Sequence, residues 1–362
     1  MDRRQFLATV GISGSALARN IATEAAMNES EILRIGMIGR EGHVGYVLDG
    51  IPLVKGACLV AYAKATPGED VAGVKAWPAF TSETRIFDHY EEMLEQVELD
   101  IAVVCLPYYR NAAASMAAAK KGIHVISEKP VATTEEDLNA LEQVVKESGI
   151  RFTTLLAMRL LPPYRCIQRA VADGAIGEPI LASAQKSYRW GSNRPEFYKR
   201  REMYGSSFLW VGIHAVDYVR FTTGLEYTHA MGTQGNIAHP DYPGCEDHGA
   251  MVFRFANGGT ADIHLDFLRP PKAPTHGDDR LRIAGSEGVI EIKDFGKRVE
   301  LIAGDREPRD LDLPQEENFF VNFVAELRGQ GEHIIRPGEA VHLTRVCIRA
   351  REAADSRKVV EL

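Results

Sequence analysis

The chain has 362 residues, 45% of them hydrophobic and 25% charged, an ordinary globular composition that exceeds what one core usually organises and so predicts two domains. Its 42 Lys and Arg are interspersed with 50 Asp and Glu, for a formal net charge of −8. That leaves no basic field for nucleic acid or an anionic membrane surface, and no segment is apolar over the length a bilayer demands, so membrane insertion is not expected.

The N-terminus reads Arg3-Arg4-Gln5-Phe6-Leu7 before a mildly apolar stretch, with Ala16-Leu17-Ala18 beyond it. This resembles a twin-arginine export signal, which would send the folded protein to the periplasm; the alternative is a disordered leader on a cytoplasmic protein. Residues 1–30 are therefore set apart. From residue 32 short apolar runs alternate with helical segments. Strands are expected at 32–39, 58–63, 85–87, 101–106, 124–127 and 151–157, with helices at 44–51, 90–97, 111–121 and 133–146. Thr133-Thr134-Glu135-Glu136 has the form of a capping box opening the last of these helices. Near-continuous apolar strands between helices require a sheet covered on both faces, so 31–157 reads as a doubly wound parallel Rossmann domain.

Beyond it the pattern changes. Strand-like runs at 180–188, 250–255, 260–267, 281–284, 289–292 and 299–302 often alternate, and turns such as Asn257-Gly258-Gly259 separate them. Helices are expected at 164–173, 213–223, 317–328 and 338–351. The second domain, 158–362, is thus α/β with an open, mainly antiparallel sheet. Five cysteines (Cys58, Cys105, Cys166, Cys245, Cys347) show neither a disulfide framework nor a CxxC spacing. Cys58, Cys105 and Cys347 sit in apolar runs and are expected in the core. His43 and His248 have no partner at metal-ligand spacing, and no metal site is expected.

Gly39-Arg40-Glu41-Gly42-His43-Val44-Gly45 joins the first strand to the first helix, where a dinucleotide pyrophosphate docks in such a fold. The spacing is G-x-x-G-x-x-G rather than G-x-G-x-x-G, and by itself fits a plain turn equally well. At the end of the second strand Lys64 stands where an acid usually meets the adenosine ribose. It would pair with a 2′-phosphate and favour NADP over NAD, or it is a solvated surface lysine.

Ser127-Glu128-Lys129-Pro130 directly after the fifth strand resembles the Gfo/Idh/MocA oxidoreductase family. Asp100 to Pro107, Gly122-Ile123-His124-Val125, Arg159-Leu160-Leu161-Pro162, the turn at 174–179, Gly212-Ile213-His214-Ala215-Val216-Asp217 and the hairpin at 284–288 agree with it, and the likeness spans about residues 31–362. The resemblance implies hydride exchange between NAD or NADP and a sugar, sugar acid or polyol, and a homodimer or homotetramer joined through the C-terminal sheet. It implies cofactor contacts from Gly39, Gly42, His43, Val44, Lys64, Leu106, Pro107, Asn111, Glu128 and Lys129. Substrate contacts are expected from Arg159, Tyr188, Trp210, His214 and Asp217, with Arg189, Trp190 and His276 as further candidates to line the cleft.

Oxidising an alcohol requires a base for the hydroxyl proton and a positive charge near the developing alkoxide. Lys129 is the expected cation. His214 is the expected acid/base, since its ordinary pKa lies near neutrality, although a histidine at a helix start reads as readily as a core residue. Asp217, on the same helical face, would orient His214, bind a hydroxyl or cap structure. Two positions depart from the family pattern. Trp210 replaces an aspartate often found four residues before the histidine, and Asn111 replaces a histidine after the fourth strand. An NAD-dependent glycoside hydrolase working by transient oxidation, or a silent cofactor- or sugar-binding protein, are the competing readings.

Overall fold

The computed structural model describes residues 32–192 and 194–362, so the leader expected at 1–30 lies outside the described residues. Six strands form the first sheet: β1 (Leu33–Ile38), β2 (Ala57–Ala63), β3 (Arg85–Phe87), β4 (Ile101–Val104), β5 (His124–Ser127) and β6 (Phe152–Thr154). All pairs are parallel, in the order β3-β2-β1-β4-β5-β6. Between them run α1 (Gly45–Leu48), α2 (Ala72–Lys75), α3 (Tyr90–Gln96), α4 (Asn111–Ala119) and α5 (Glu135–Ser148). The run Ile101-Ala102-Val103-Val104 explains the layering. Ile101 and Val103 join one buried cluster and Ala102 and Val104 the other, so the strand is stable only with apolar cover on both faces. The chain winds one way from β1 to β3 and the other way from β4 to β6. This opens a crevice at the carboxyl ends of β1 and β4, the position where such sheets bind ligands.

Local chemistry shifts some boundaries. The helix expected at 44–51 is a single turn, because Gly50 and Pro52 divert the chain into a 3-10 turn at Ile51–Leu53. The N-cap of α5 is Thr134, whose hydroxyl accepts from the Asp137 N–H at 3.1 Å, one residue later than the Thr133 box predicts. Cys105 and Cys347 are buried, but Cys58 is exposed, since the start of β2 projects beyond the core.

The second sheet has nine strands: β7 (Pro179–Tyr188), β8 (Tyr227–Gly235), β9 (His248–Phe255), β10 (Thr260–Asp266), β11 (Gly277–Gly285), β12 (Gly288–Lys293), β13 (Arg298–Ala303), β14 (Arg309–Asp310) and β15 (Val360–Glu361). Their order is β14-β13-β12-β11-β7-β10-β9-β8-β15, and every pair is antiparallel except β7 with β10. Helices α6 (Pro162–Ala172), α7 (Arg201–Tyr204), α8 (Ile213–Thr223), α9 (Phe319–Leu327) and α10 (Glu339–Ser356) complete this half. Strand β9 shows the period: Met251, Phe253 and Phe255 face the helices, while Ala250, Val252 and Arg254 face outward. Each buried ring contributes roughly 1.5–3 kcal/mol, so register is fixed on the helical side. The other side is open and exposes Leu181, Met231 and Val252.

The C-terminal helices tie the halves together. Helix α10 packs on β8 and also on α5 and β6, and α9 meets α1. His333, buried just before α10, pairs through Nε2 with Thr153 Oγ1 of β6 at 2.8 Å and through Nδ1 with Asn322 Oδ1 of α9 at 2.7 Å. This brace holds the crevice of the first sheet against the second domain. Among the described residues no helix is long and apolar enough to cross a membrane.

Candidate active site

The site is built on the turn after β1. Gly39 has φ +75°, and a Cβ there would lie 2.3 Å from the Cys105 carbonyl oxygen. Gly42 has φ +73°, and its Cβ would lie 2.4 Å from the Glu128 carboxyl carbon. Glycine is therefore required at both for the turn to lie this close to the ends of β4 and β5. Glu128 is fully buried and holds the turn from below: its carboxylate accepts from the His43 backbone N–H at 3.1 Å and pairs with His43 Nδ1 at 2.8 Å. The N–H groups of Gly42, Val44 and Gly45 make no hydrogen bond within the described residues. Unpaired donors beside a side-chain-free backbone suit a dinucleotide's phosphates, so this crevice fits the cofactor the sequence suggests.

Two expected cofactor contacts have other roles. Asn111 is buried, accepts the Leu106 N–H at 3.1 Å and donates to the carbonyls of Glu128 (3.3 Å) and Pro130 (3.1 Å). Both its amide hydrogens are used, so it staples the Leu106-Pro107 loop to the Glu128-Lys129-Pro130 loop and has none left for a ligand. Lys64 pairs with Asp88 at 2.8 Å. The acid absent from the end of β2 arrives five residues later as Glu69, which accepts from the Ala65 N–H (2.7 Å) and Tyr62 hydroxyl (2.9 Å) and pairs with Arg40 (2.8 Å).

Lys129 follows β5 through a cis bond to Pro130 and is buried. It donates to the Trp210 carbonyl and lies 3.8 Å from Glu128 Oε1. Burial, reinforced by Lys186 and opposed by Glu128, brings its pKa down to about 8. Residues Phe208–Gly212 form a π-helical turn leading into α8, and such a turn releases carbonyls from the ordinary ladder. Lys129 thus lies between the Trp210 carbonyl, its hydrogen-bond acceptor, and the Glu128 carboxylate. Glu246 anchors the turn, accepting the Ser207 N–H at 2.9 Å and pairing with Arg201.

His214, on the first turn of α8, is buried with its ring edge-on to His43 at 5.0 Å between centroids, and its Nδ1 has no partner among the described residues. Burial first, then Lys129, Lys186 and His43, push its pKa well below the ordinary 6.5. Its burial therefore shifts His214 toward the neutral imidazole rather than the near-neutral titration expected for it.

Lys129 and His214 line one cleft of about 470 Å³ with Gly42, His43, Tyr188 and Trp210. Arg189, Trp190 and His276 line it too, as expected. Sequence reasoning missed Tyr108, Arg194, Tyr198 and Phe267, which complete the walls. The Tyr108 and Tyr198 hydroxyls share a 2.6 Å hydrogen bond, and Phe267 stacks on Trp210 at 5.0 Å. Behind the cleft, Asp279 accepts from Lys186 at 2.8 Å and from the Tyr188 hydroxyl at 3.1 Å. Lys186 was detectable, because its charge falls on the buried phase of β7 with Ala182 and Ala184.

Arg159 and Asp217 do not reach this cleft. Both are buried, and Arg159 grips Asp217 Oδ1 with Nε (2.9 Å) and Nη2 (2.6 Å) while Nη1 reaches Glu339 at 2.8 Å. Expected as substrate contacts, they instead lock the start of α10 to α8.

Comparison with known proteins agrees with this geometry. Residues 33–155 match the family model described as "Oxidoreductase family, NAD-binding Rossmann fold", and residues 164–291 match the GFO/IDH/MocA C-terminal domain. The chain belongs to the Gfo/Idh/MocA oxidoreductase family, and its first domain is NAD-binding. It is 27% identical to a scyllo-inositol 2-dehydrogenase (NAD(+)) of Bacillus subtilis, over 72% of each chain. It is 26% identical to a 2,7-anhydro-N-acetylneuraminate hydratase of Mediterraneibacter gnavus, over 56% of this chain and 53% of that one. A solved structure from Thermotoga maritima, proposed to be an oxidoreductase, is 33% identical with a TM-score of 0.86, covering 91% of this chain and all (100%) of that one.

Proposed function

We propose that this NAD-dependent oxidoreductase moves a hydride between the nicotinamide ring and a hydroxyl-bearing carbon of a sugar, sugar acid or polyol. The supporting observation is the convergence of Lys129 and His214 in one cleft between the glycine turn and an aromatic wall. Bound NAD supplies the hydride acceptor. Neutral His214, with Nδ1 unpartnered, takes the hydroxyl proton. Lys129, oriented by the Trp210 carbonyl and held charged beside Glu128, supplies the positive charge for the oxygen that becomes alkoxide. Trp210, Phe267, Tyr108 and Tyr198 exclude water and offer a face to a sugar ring.

Asp88 neutralises Lys64 and Glu69 stands at the end of β2, which favours NAD over NADP. The exposed apolar residues of the second sheet favour a homodimer or homotetramer joined there. Arg3-Arg4-Gln5-Phe6-Leu7 favours export by the twin-arginine route.

The test is incubation of the full chain with NAD and a panel of sugars, polyols and sugar acids. Reduced nicotinamide should accumulate with at least one class. NAD that binds but is never reduced, together with cleavage or hydration of a glycoside, would instead favour a reaction with no net oxidation, as in the related hydratase.

A further inference from the structure

We infer that the substrate carries a carboxylate and that Arg189 and Arg194 receive it, so that the cleft selects acidic sugars over neutral ones. This rests on the sugar-oxidoreductase reading above. Elsewhere in the molecule buried cations meet acids: Lys186 pairs with Asp279 at 2.8 Å and Arg159 with Asp217 at 2.6 Å. In the cleft Lys129 and His43 both reach the Glu128 carboxylate, whereas Arg189 and Arg194 meet no acid among the described residues. Among the described residues the cleft lining holds Lys129, Arg189, Arg194 and three histidines but no Asp or Glu. Among the described residues neither Arg189 nor Arg194 forms an ion pair, and each has a buried Nε without any partner. Arg189 spends one nitrogen on the Ala273 carbonyl, and Arg194 spends Nη2 on the Trp190 carbonyl at 2.7 Å.

The setting of Arg194 orients it. Its guanidinium carbon lies 4.0 Å from the Trp190 ring centroid, 4.7 Å from Trp210, 4.9 Å from Phe267 and 5.1 Å from Tyr198. Aromatic faces take the flat of a guanidinium and leave its edge of N–H donors for in-plane hydrogen bonds, the geometry that a carboxylate matches with two oxygens. Confined cations with unspent donors cost free energy until an anion arrives. Both arginines belong to the end of β7 and the loop beyond it, not to the Rossmann turn suited to the cofactor's phosphates. The anion they await is therefore the substrate's own.

Titration calorimetry on the full chain saturated with NADH tests this with matched pairs: glucuronate against glucose, galacturonate against galactose, and gluconate against glucitol, with a hexose phosphate as a further arm. The acids should bind on the order of 100-fold more tightly than their neutral partners and more tightly than the phosphate. Arg189→Gln and Arg194→Gln should each remove most of that preference while NADH affinity is kept. If either fails to fold, Arg189→Lys and Arg194→Lys keep the charge but lose the fork, and should cost roughly 10-fold. Equal or tighter binding of neutral sugars, preference for the phosphate, no binding by any acid, or full preference in the folded variants overturns the inference. Because calorimetry reads binding alone, an acid that binds without reducing NAD upholds the inference and counts against the catalytic reading instead.

Discussion

Lys129 donates to the main-chain carbonyl of Trp210, four residues before His214. The residue that departs from the family pattern therefore still serves the lysine, through its backbone. The carbonyl orients the ammonium, and Glu128 at 3.8 Å is the carboxylate that shares its charge. The π-helical turn at Phe208–Gly212 makes that carbonyl available, and Glu246 keeps the turn in place.

This arrangement sets the pH dependence of alcohol oxidation. Lys129 must be charged and titrates near 8, so kcat should fall as pH rises through about 8. His214 must be neutral, and with its pKa pushed well below 6.5 the acid limb should lie below that value. His214→Asn should lower kcat roughly 10²–10⁴-fold and erase the acid limb while leaving the limb near 8. An acid limb that survives in the folded variant assigns the base elsewhere.

Arg159 and Asp217 should behave as structure. Arg159→Met leaves Asp217 buried without its cation and should cost about 3–5 kcal/mol in chemical denaturation, whereas Asp217→Leu leaves Arg159 its pairing with Glu339 and should cost less. The double substitution should recover a large part of that loss. KM for the sugar should stay within about 3-fold of wild type in whatever folds. A large rise in KM at unchanged stability would return both residues to the binding site.

Cofactor choice should not depend on Lys64, since Asp88 already holds it. NAD should be preferred over NADP by about 10-fold or more, and Lys64→Ala should leave that ratio nearly unchanged. A loss of NADP use on removing Lys64 would show that the lysine leaves Asp88 for a 2′-phosphate.

Much of this was legible along the chain, and the omissions share a cause. Strands such as Ile101–Val104 announce themselves because burial on both faces demands an unbroken apolar run, and α8 matches its expected span, 213–223. Lys129 and His214 stand out in the sequence because each lies in a short specific string. Strand β8 was missed because Gly232 and Gly235 interrupt its alternation, and pairing with β9 makes it a strand. Arg194 and Phe267 come from a loop and a strand end that meet only in three dimensions. Arg159 and Asp217 were misassigned because a motif names a residue but not the direction of its side chain; Arg159 turns inward to α8 and α10.

The most direct test of the central claim is single-turnover reduction of bound NAD in wild type and in Lys129→Met. Wild type should reduce its NAD on mixing with a substrate sugar. The variant should bind NADH as tightly but reduce NAD on the order of 100-fold or more slowly, with no limb near pH 8. A folded Lys129→Met protein that reduces bound NAD at the wild-type rate would contradict the account.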